Sequence, residues 1–555
     1  MSALRELVFI LKAQKLTLAV VLISAIVLSC LNMSVPYSLK MAVDTIKSGQ
    51  NLQFLYWIAA GVMAIYVAKN AVYYFSKSRI VLLAERVAYD LRNRMMAHLH
   101  LLSVSYYKRQ KPAKLSSRLI QDVESVKEFI SSEMIKLTTN GLQILVAVVI
   151  IFMLNPLLAV IAVSLLPLNI FIYMGFRGAI ARSARAAKEQ VSDISGDLVE
   201  QFSGVETVKS AASEWKEREK FASSMRVGMS AQIQERRFYL LQKVSADVLV
   251  GMSLVLLFAV GGYLLIAGKL ETGEFVALYT YMGMLYPLAT EVVADAGKFS
   301  ATTASVDRVY EILRTAPDIR ESAGARPRLI EKGRIEFRNV GFSYGGQQVL
   351  RDVSFTIEPA EHVLISGPSG CGKSTLLNLI PRFYDCQSGS ILIDGVDVKD
   401  FTLASLRGQI GVVFQECFLF NSTVLENIRY GRPDATDAEV VHAAEQAQVH
   451  AFVQELPEGY LTRIGEGGVP LSFGERQRIG IARAILKDPS VFILDEALAS
   501  LDAESRASIA EDIQRITQDR TLFIVSQSPS LFADVDKKLV FENGTVKVIS
   551  LAKPA

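Results

Sequence analysis

Apolar residues fill the first half of the chain in long runs, near residues 17–37, 53–75, 136–156, 157–177, 243–266 and 274–296. Each run holds roughly 20 residues, which as a helix crosses the hydrocarbon core of a bilayer. Six such runs separated by charged segments predict membrane spans rather than the buried helices of a soluble core. Runs three and four meet at Asn155-Pro156 with almost no loop, and runs five and six are joined by a short Gly268–Gly273 turn. Long polar stretches with helical periodicity separate runs two and three, and runs four and five. The first carries Lys77, Arg79, Arg86, Arg92, Arg94, Lys108 and Arg109, and the second Arg182, Arg185, Lys188, Lys209, Lys216 and Arg218. Basic residues are retained on the cytoplasmic side, so both stretches and both chain ends are expected there. Near residue 315 the pattern changes. Ala316-Pro317, Gly324 and Pro327 mark a linker, after which short β-rich runs such as Arg334–Phe337 and His362–Ser366 alternate with helical stretches. That alternation predicts an α/β domain. The expected division is an all-α transmembrane domain of six helices over 1–315, a linker over 316–332 and an α/β domain over 333–555.

Composition agrees with a chain partly in lipid: 51% of its 555 residues are hydrophobic and the mean hydropathy is +0.30. The formal net charge of +3 gives no global basic field, which argues against a nucleic-acid partner. Cys30, Cys371, Cys386 and Cys417 lack metal-ligand spacing and read as reduced thiols. Met1 to Lys15 is basic and runs into the first apolar stretch without a small-residue cleavage site, so it is expected to lead into a membrane helix rather than to be a signal peptide.

Gly367-Pro-Ser-Gly-Cys-Gly-Lys373-Ser374 fits G-x-x-x-x-G-K-[ST], follows the apolar strand Val363–Ile365 and opens the helix Thr375–Ile380. This is the context a phosphate-binding loop requires. Glycines let backbone N–H groups turn toward phosphate oxygens, Lys373 supplies a positive charge, and the Ser374 hydroxyl can ligate Mg²⁺. Gly367, Ser369, Gly370, Cys371, Gly372, Lys373, Ser374 and Thr375 are therefore the candidate ATP contacts. Val491-Phe-Ile-Leu-Asp495-Glu496 is an apolar strand ending in two acids. Asp495 suits a Mg²⁺ partner, and Glu496, one residue on, can polarise an attacking water.

Between these motifs stands Leu471-Ser-Phe-Gly-Glu475-Arg-Gln-Arg478. In this order the chain resembles the ATP-binding cassette (ABC) transporters, and its first half resembles their six-helix exporter type. The resemblance covers nearly the whole chain. It implies an ATPase of ABC type over 333–555, ATP and Mg²⁺ as cofactors, a dimer of identical or different halves, and alternating access in a membrane, expected to be a bacterial inner membrane. It also implies roles. Tyr344 is the aromatic that stacks on adenine. Gln415 senses Mg²⁺ and the attacking water. Ser472, Gly474 and Glu475 form the signature that meets ATP held by the opposite subunit. Ser500-Leu501-Asp502 runs across the dimer interface. Ile464-Gly-Glu466 touches coupling helices, which are expected around Ser116–Val126 and Glu200–Ser213.

Two departures from the family pattern stand out. The signature usually reads Leu-Ser-Gly-Gly-Gln, whereas here the third and fifth residues are Phe473 and Glu475. The family places His two residues beyond the strand Leu522–Val525, where this chain has Gln527. Gln527 can bond a phosphate oxygen but cannot carry charge or relay a proton. Either hydrolysis is slowed, or Glu496 is the main catalytic group and Gln527 suffices for positioning. Export of a lipid, drug, peptide or small metabolite is the expected activity; import, or a slowly hydrolysing regulatory half, are the alternatives. Nothing ahead of the first span resembles a peptidase, which disfavours a leader-cleaving peptide exporter. Within the spans, Lys69, Glu291 and Asp295 read either as substrate contacts or as structural pairs. Tyr66, Tyr73, Tyr74, Tyr281 and Tyr286 read as cavity lining or interfacial belts.

Overall fold

The computed structural model describes residues 15–49, 52–110, 112–498, 503–526, 532, 535–542 and 544–551. The chain divides into two compact units, one of residues 1–100 and 112–315 and the other of residues 101–111 and 316–555.

The first unit is helical. Its elements are α1 (Lys15–Ser48) and α2 (Leu52–Leu101) and, after a short helix α3 (Val104–Arg109) that belongs to the second unit, α4 (Pro112–Leu154), α5 (Pro156–Ser203), α6 (Val205–Ser210), α7 (Glu214–Ile266) and α8 (Thr272–Arg314). Of these, α1, α2, α4, α5 and α7 are long and apolar enough to cross a membrane. The sixth expected span falls on α8, whose 43 residues mix Leu and Val with Tyr, Thr and five acids, Glu274, Glu291, Asp295, Asp307 and Glu311. Spans and polar stretches are not separate elements. The helices continue past their apolar windows, so α2 reaches 50 residues and α7 reaches 53.

Local chemistry sets the helix ends. Asn155 caps α5, its Oδ1 accepting from Leu158 N at 3.1 Å, with Pro156 in the first turn, where a missing N–H costs nothing. At the start of α8, Glu271 and Glu274 form a reciprocal capping box. Asp44 at the far end of α1 accepts from Gly273 N at 3.0 Å. A Cβ at position 273 would lie 2.2 Å from that carboxylate oxygen, so any larger residue there would have to displace the Asp44 carboxylate and its bond.

The core of this unit gathers Met33, Ile151, Leu158, Leu257, Leu278 and Leu285 around two fully buried tyrosines. Tyr281 Oη donates to Met33 O at 2.6 Å and Tyr286 Oη to Ala162 O at 3.0 Å. Both phenols therefore pin α8 to its neighbours, and neither cavity lining nor an interfacial belt describes them. Tyr66, Tyr73 and Tyr74 are exposed on α2. Asn140 donates to Glu291 at 2.9 Å, and Lys298 bridges Asp295 and Glu133 at 3.2 and 3.0 Å. Satisfied pairs of this kind favour the structural reading of both acids. Lys69 lies over the Tyr66 ring, 5.4 Å from its centroid.

The described residues of the second unit form three sheets. One is antiparallel, ordered β2 (Gln347–Ile357), β1 (Ile335–Tyr344), β4 (Ser388–Ile393), β5 (Val396–Asp397). The other large sheet runs β12 (Thr545–Ser550), β11 (Lys537–Glu542), β3 (His362–Ser366), β10 (Thr521–Val525), β9 (Val491–Asp495), β6 (Ile410–Val413), and all its pairings but β11–β12 are parallel. Strands β3, β9 and β10 are apolar at their centres because both faces of the parallel sheet are covered: Leu364, Phe492, Leu494 and Ile524 pack in one core with helical residues, and Val363, Ile365, Ile493 and Phe523 in another with the antiparallel sheet. Phe492, Ile493, Leu494, Phe523 and Ile524 are all buried. A small pair, β7 (Ser422–Thr423) with β8 (Arg463–Ile464), belongs to a helical arm.

Residues 101–111 lie in this unit through Asp318, which accepts from Ser103 Oγ at 2.7 Å, from Ser105 Oγ and from Arg109 Nη2 at 3.3 Å. Lys108 Nζ sits over the Tyr384 ring at 5.9 Å. The stretch expected as a coupling segment, Ser116–Val126, lies in α4 of the first unit, with Val123 and Val126 buried, whereas Val104–Arg109 belongs to the ATPase unit. The hydroxyls of Ser105 and Ser103, and then the Arg109 charge, hold the Asp318 carboxyl below its ordinary value of 3.8. A depressed carboxylate stabilises the fold above its unfolded value, and this is lost as pH falls through the folded one. Asp318→Ala is expected to speed amide hydrogen exchange across residues 101–111 while leaving the strands of the large sheet protected. Unchanged exchange in that segment would show that the carboxylate does not hold it.

Candidate nucleotide-binding site

The phosphate loop leaves β3 at Ser366 and closes on α9 (Lys373–Leu379). Gly372, with φ +110°, turns the chain into the helix, and a Cβ there would meet Val349 Cγ1 at 2.9 Å. Lys373 Nζ folds back onto the loop, donating to Gly367 O and Pro368 O at 2.9 Å each. The loop thus holds a cation and an open helix N-terminus together, the pair of features that attracts phosphate.

Strand β9 ends beside it. Ser374 Oγ donates to Asp495 Oδ1 at 3.0 Å. Burial, and to a lesser degree the neighbouring Glu496 charge, push the Asp495 carboxyl above its ordinary value, while the Ser374 bond and Lys373 oppose the shift. A divalent cation would relieve that cost. Hydroxyl, carboxylate and amide oxygens are the hard donors Mg²⁺ prefers, usually with few protein ligands. Ser374, Asp495 and Gln415 therefore fit the ion.

Glu496 takes a left-handed backbone, φ +52°, which costs a non-glycine residue about 1 kcal/mol or more. Its N–H donates to Val525 O of β10 at 3.0 Å, which locks the turn. Its carboxylate Oε2 accepts from Gln415 Nε2 at 3.0 Å. Gln415 follows β6, which pairs with β9. Sheet order thus delivers Lys373, Ser374, Asp495, Glu496 and Gln415 to the C-terminal edge of parallel strands, where open α/β sheets bind ligands.

Tyr344 closes β1. Its ring meets Phe342 and Tyr384 edge-on, with centroids 4.7 and 5.3 Å away. Burial raises its phenol pKa, and its side chain bonds to Thr375, so this aromatic adjoins the phosphate-loop helix. Ser472 caps α10 (Phe473–Leu486), and Glu475 completes a capping box with it. The Phe473 ring is covered by the Arg476 guanidinium at 5.4 Å, and Gly474 lies in the helix's first turn. Asp502 and Gln527 lie outside the described residues.

Sequence reasoning missed the side chains that hold the Gln415 loop. Gln477 is fully buried and donates to Phe414 O at 2.8 Å, and Arg483 donates to Phe418 O at 3.1 Å and to Asn427 O at 2.9 Å. Burial lowers the Arg483 pKa. One signal was available. Gln477 lies on the stripe shared with Ile481 and Ala484, so a polar residue there needs a buried partner.

Residues 18–287 match the family model described as ABC transporter transmembrane region, and residues 350–499 match the one described as ABC transporter. The chain is 33% identical to the putative multidrug export ATP-binding/permease protein YgaD of Bacillus subtilis, over 98% of this chain and 96% of that protein. The chain belongs to the ABC transporters. A further relative within this family is the ATP-dependent lipid A-core flippase of Syntrophus aciditrophicus, 34% identical over 95% of this chain and 88% of the relative. A solved bacterial Atm1-family ABC exporter with ATP bound superposes with a TM-score of 0.83 at 25% identity, covering 97% of this chain and 95% of that one. This ABC transporter is thus an integral membrane half-transporter with its membrane domain and ATP-hydrolysing domain fused in one chain.

Proposed function

We propose that this half-transporter exports an amphipathic compound, lipid-like or drug-like, by alternating access powered by Mg-ATP. The observation that carries the reading is the juxtaposition of Ser374–Asp495 and Gln415–Glu496 at one sheet edge, in a chain whose described residues include five helices apolar and long enough to cross a membrane. Lys373 and the loop amides bind the phosphates, and Tyr344 stacks on adenine. Mg²⁺, when bound to Ser374, Asp495 and Gln415, neutralises charge on the phosphates. Glu496 takes the proton of the attacking water, and Gln415 holds that carboxylate in place. The α10 N-terminus, with Ser472 and Gly474, closes the exposed face of ATP bound by the partner subunit. Gln527 contributes a bond to phosphate but no charge. In a homodimer each site carries both Gln527 and Phe473, whereas in a heterodimer they fall in different sites. The ATPase unit and both termini face the cytoplasm, in a bacterial inner membrane.

Uptake into inside-out vesicles tests this. ATP-dependent accumulation of a fluorescent amphiphile is expected, abolished by Lys373→Ala. Efflux from preloaded vesicles instead would establish import. ATP binding with neither uptake nor turnover would establish the regulatory half.

A further inference from the structure

Ser472 offers two donors at the mouth of α10, and both go to one oxygen. Its N–H and its Oγ–H reach Glu475 Oε2 at 2.7 and 2.8 Å, and Glu475 N returns a bond to Ser472 Oγ at 3.3 Å. Among the described residues no Lys or Arg forms an ion pair with Glu475. The nearby cations are engaged elsewhere: Arg476 lies over the Phe473 ring and Arg478 Nη2 donates to Ser505 Oγ at 2.8 Å. The positive end of a 14-residue helix therefore already holds an anion, bonded to the donors that the signature would turn toward phosphate.

The geometry points to Glu475 as a resident competitor for the γ-phosphate of the partner's ATP, setting the ATP concentration at which the two subunits close. This rests on the reading, proposed above, that Ser472 meets that phosphate. For ATP to engage, the Ser472 hydroxyl must give up Glu475, and the displaced carboxylate remains as a like charge beside the phosphate. A neutral residue at 475 would leave the same donors without an anion to displace. Glu475 is in this sense a positioning residue that acts through Ser472, and it tunes affinity rather than chemistry.

Steady-state ATPase of the full-length protein in lipid, titrated with Mg-ATP, tests this. Glu475→Gln keeps an oxygen able to cap Ser472 but removes the charge. Half-saturating ATP is expected to fall roughly 2–5-fold, the equivalent of one charge at a helix N-terminus. Glu475→Ala, which also removes the cap, is expected to move half-saturating ATP in the same direction. A purely structural cap predicts otherwise: no change for Gln, and weaker ATP dependence for Ala. Either result overturns the inference. Ser472→Ala separates the two levels. If it raises half-saturating ATP, the signature reading stands and the Glu475 variants alone decide. If it leaves the ATP dependence unchanged, the signature reading fails and the competitor role fails with it.

Discussion

Glu496→Gln is expected to bind ATP as the parent does and to lower steady-state Mg-ATPase by about 10²–10³-fold, the usual contribution of a positioned general base. The substitution is nearly isosteric. The left-handed turn at 496 depends on the backbone bond to Val525 O, and glutamine leaves it intact. The loss is therefore chemical rather than structural. The side chain still reaches Gln415, but its amide cannot accept a proton. Phosphate release from protein in nanodiscs, alongside nucleotide retention on a filter, separates turnover from binding. A variant that keeps a third or more of the parent rate would remove Glu496 from the centre of the mechanism. It would leave Gln415 and Gln527 to be tested in its place.

Asp495→Asn is expected to move activity and stability in opposite directions. The carboxylate is the strongest hard ligand beside Ser374, and its loss should lower Mg-ATPase by roughly 10²-fold or more at fixed Mg²⁺. In the metal-free protein the same carboxylate is a liability, because burial raises its pKa above the ordinary 3.8. A raised acid binds its proton more readily folded than unfolded. Stability is then greatest below the unfolded value and is lost as pH rises through the folded one. Above the folded value the buried group is ionised at a cost in stability, which neutral asparagine recovers. Melting in EDTA at pH 7 should therefore show the variant at a higher Tm than the parent, and Mg-ATP should narrow or reverse the gap. An equal or lower Tm in EDTA would mean that Asp495 carries no electrostatic strain.

Much of this architecture is legible in the residues because single physical constraints dominate it. A bilayer demands some 20 apolar residues per span, and phosphate demands glycine, lysine and a hydroxyl in a fixed order. What stayed hidden depends on partners distant in sequence. No local pattern distinguishes Tyr281, bonded to Met33 O, from a tyrosine at a headgroup boundary. The hydropathy of α2 falls beyond its apolar window while the helix continues, because helical propensity outlasts hydrophobicity. That residues 101–111 belong to the ATPase unit was hidden for a related reason. Ser116–Val126 and Val104–Arg109 are both polar and helical, and only the Asp318 contacts separate them. Glu475 was visible as an exception to the signature, yet its two bonds to Ser472 follow only from the geometry of the helix start.

The excursion of residues 101–111 has a practical corollary. The polypeptide passes between its two units three times, near residues 100, 111 and 315. An ATPase fragment cut at the linker would therefore be a domain with a missing piece. It would lack the lysine over Tyr384, whose ring is the neighbour of Tyr344, and Asp318 would have lost its serines. Mechanically, the segment is a second tether in parallel with the linker. The covalent path between the units thus runs through the end of α2, the start of α4 and the end of α8, three connections rather than one.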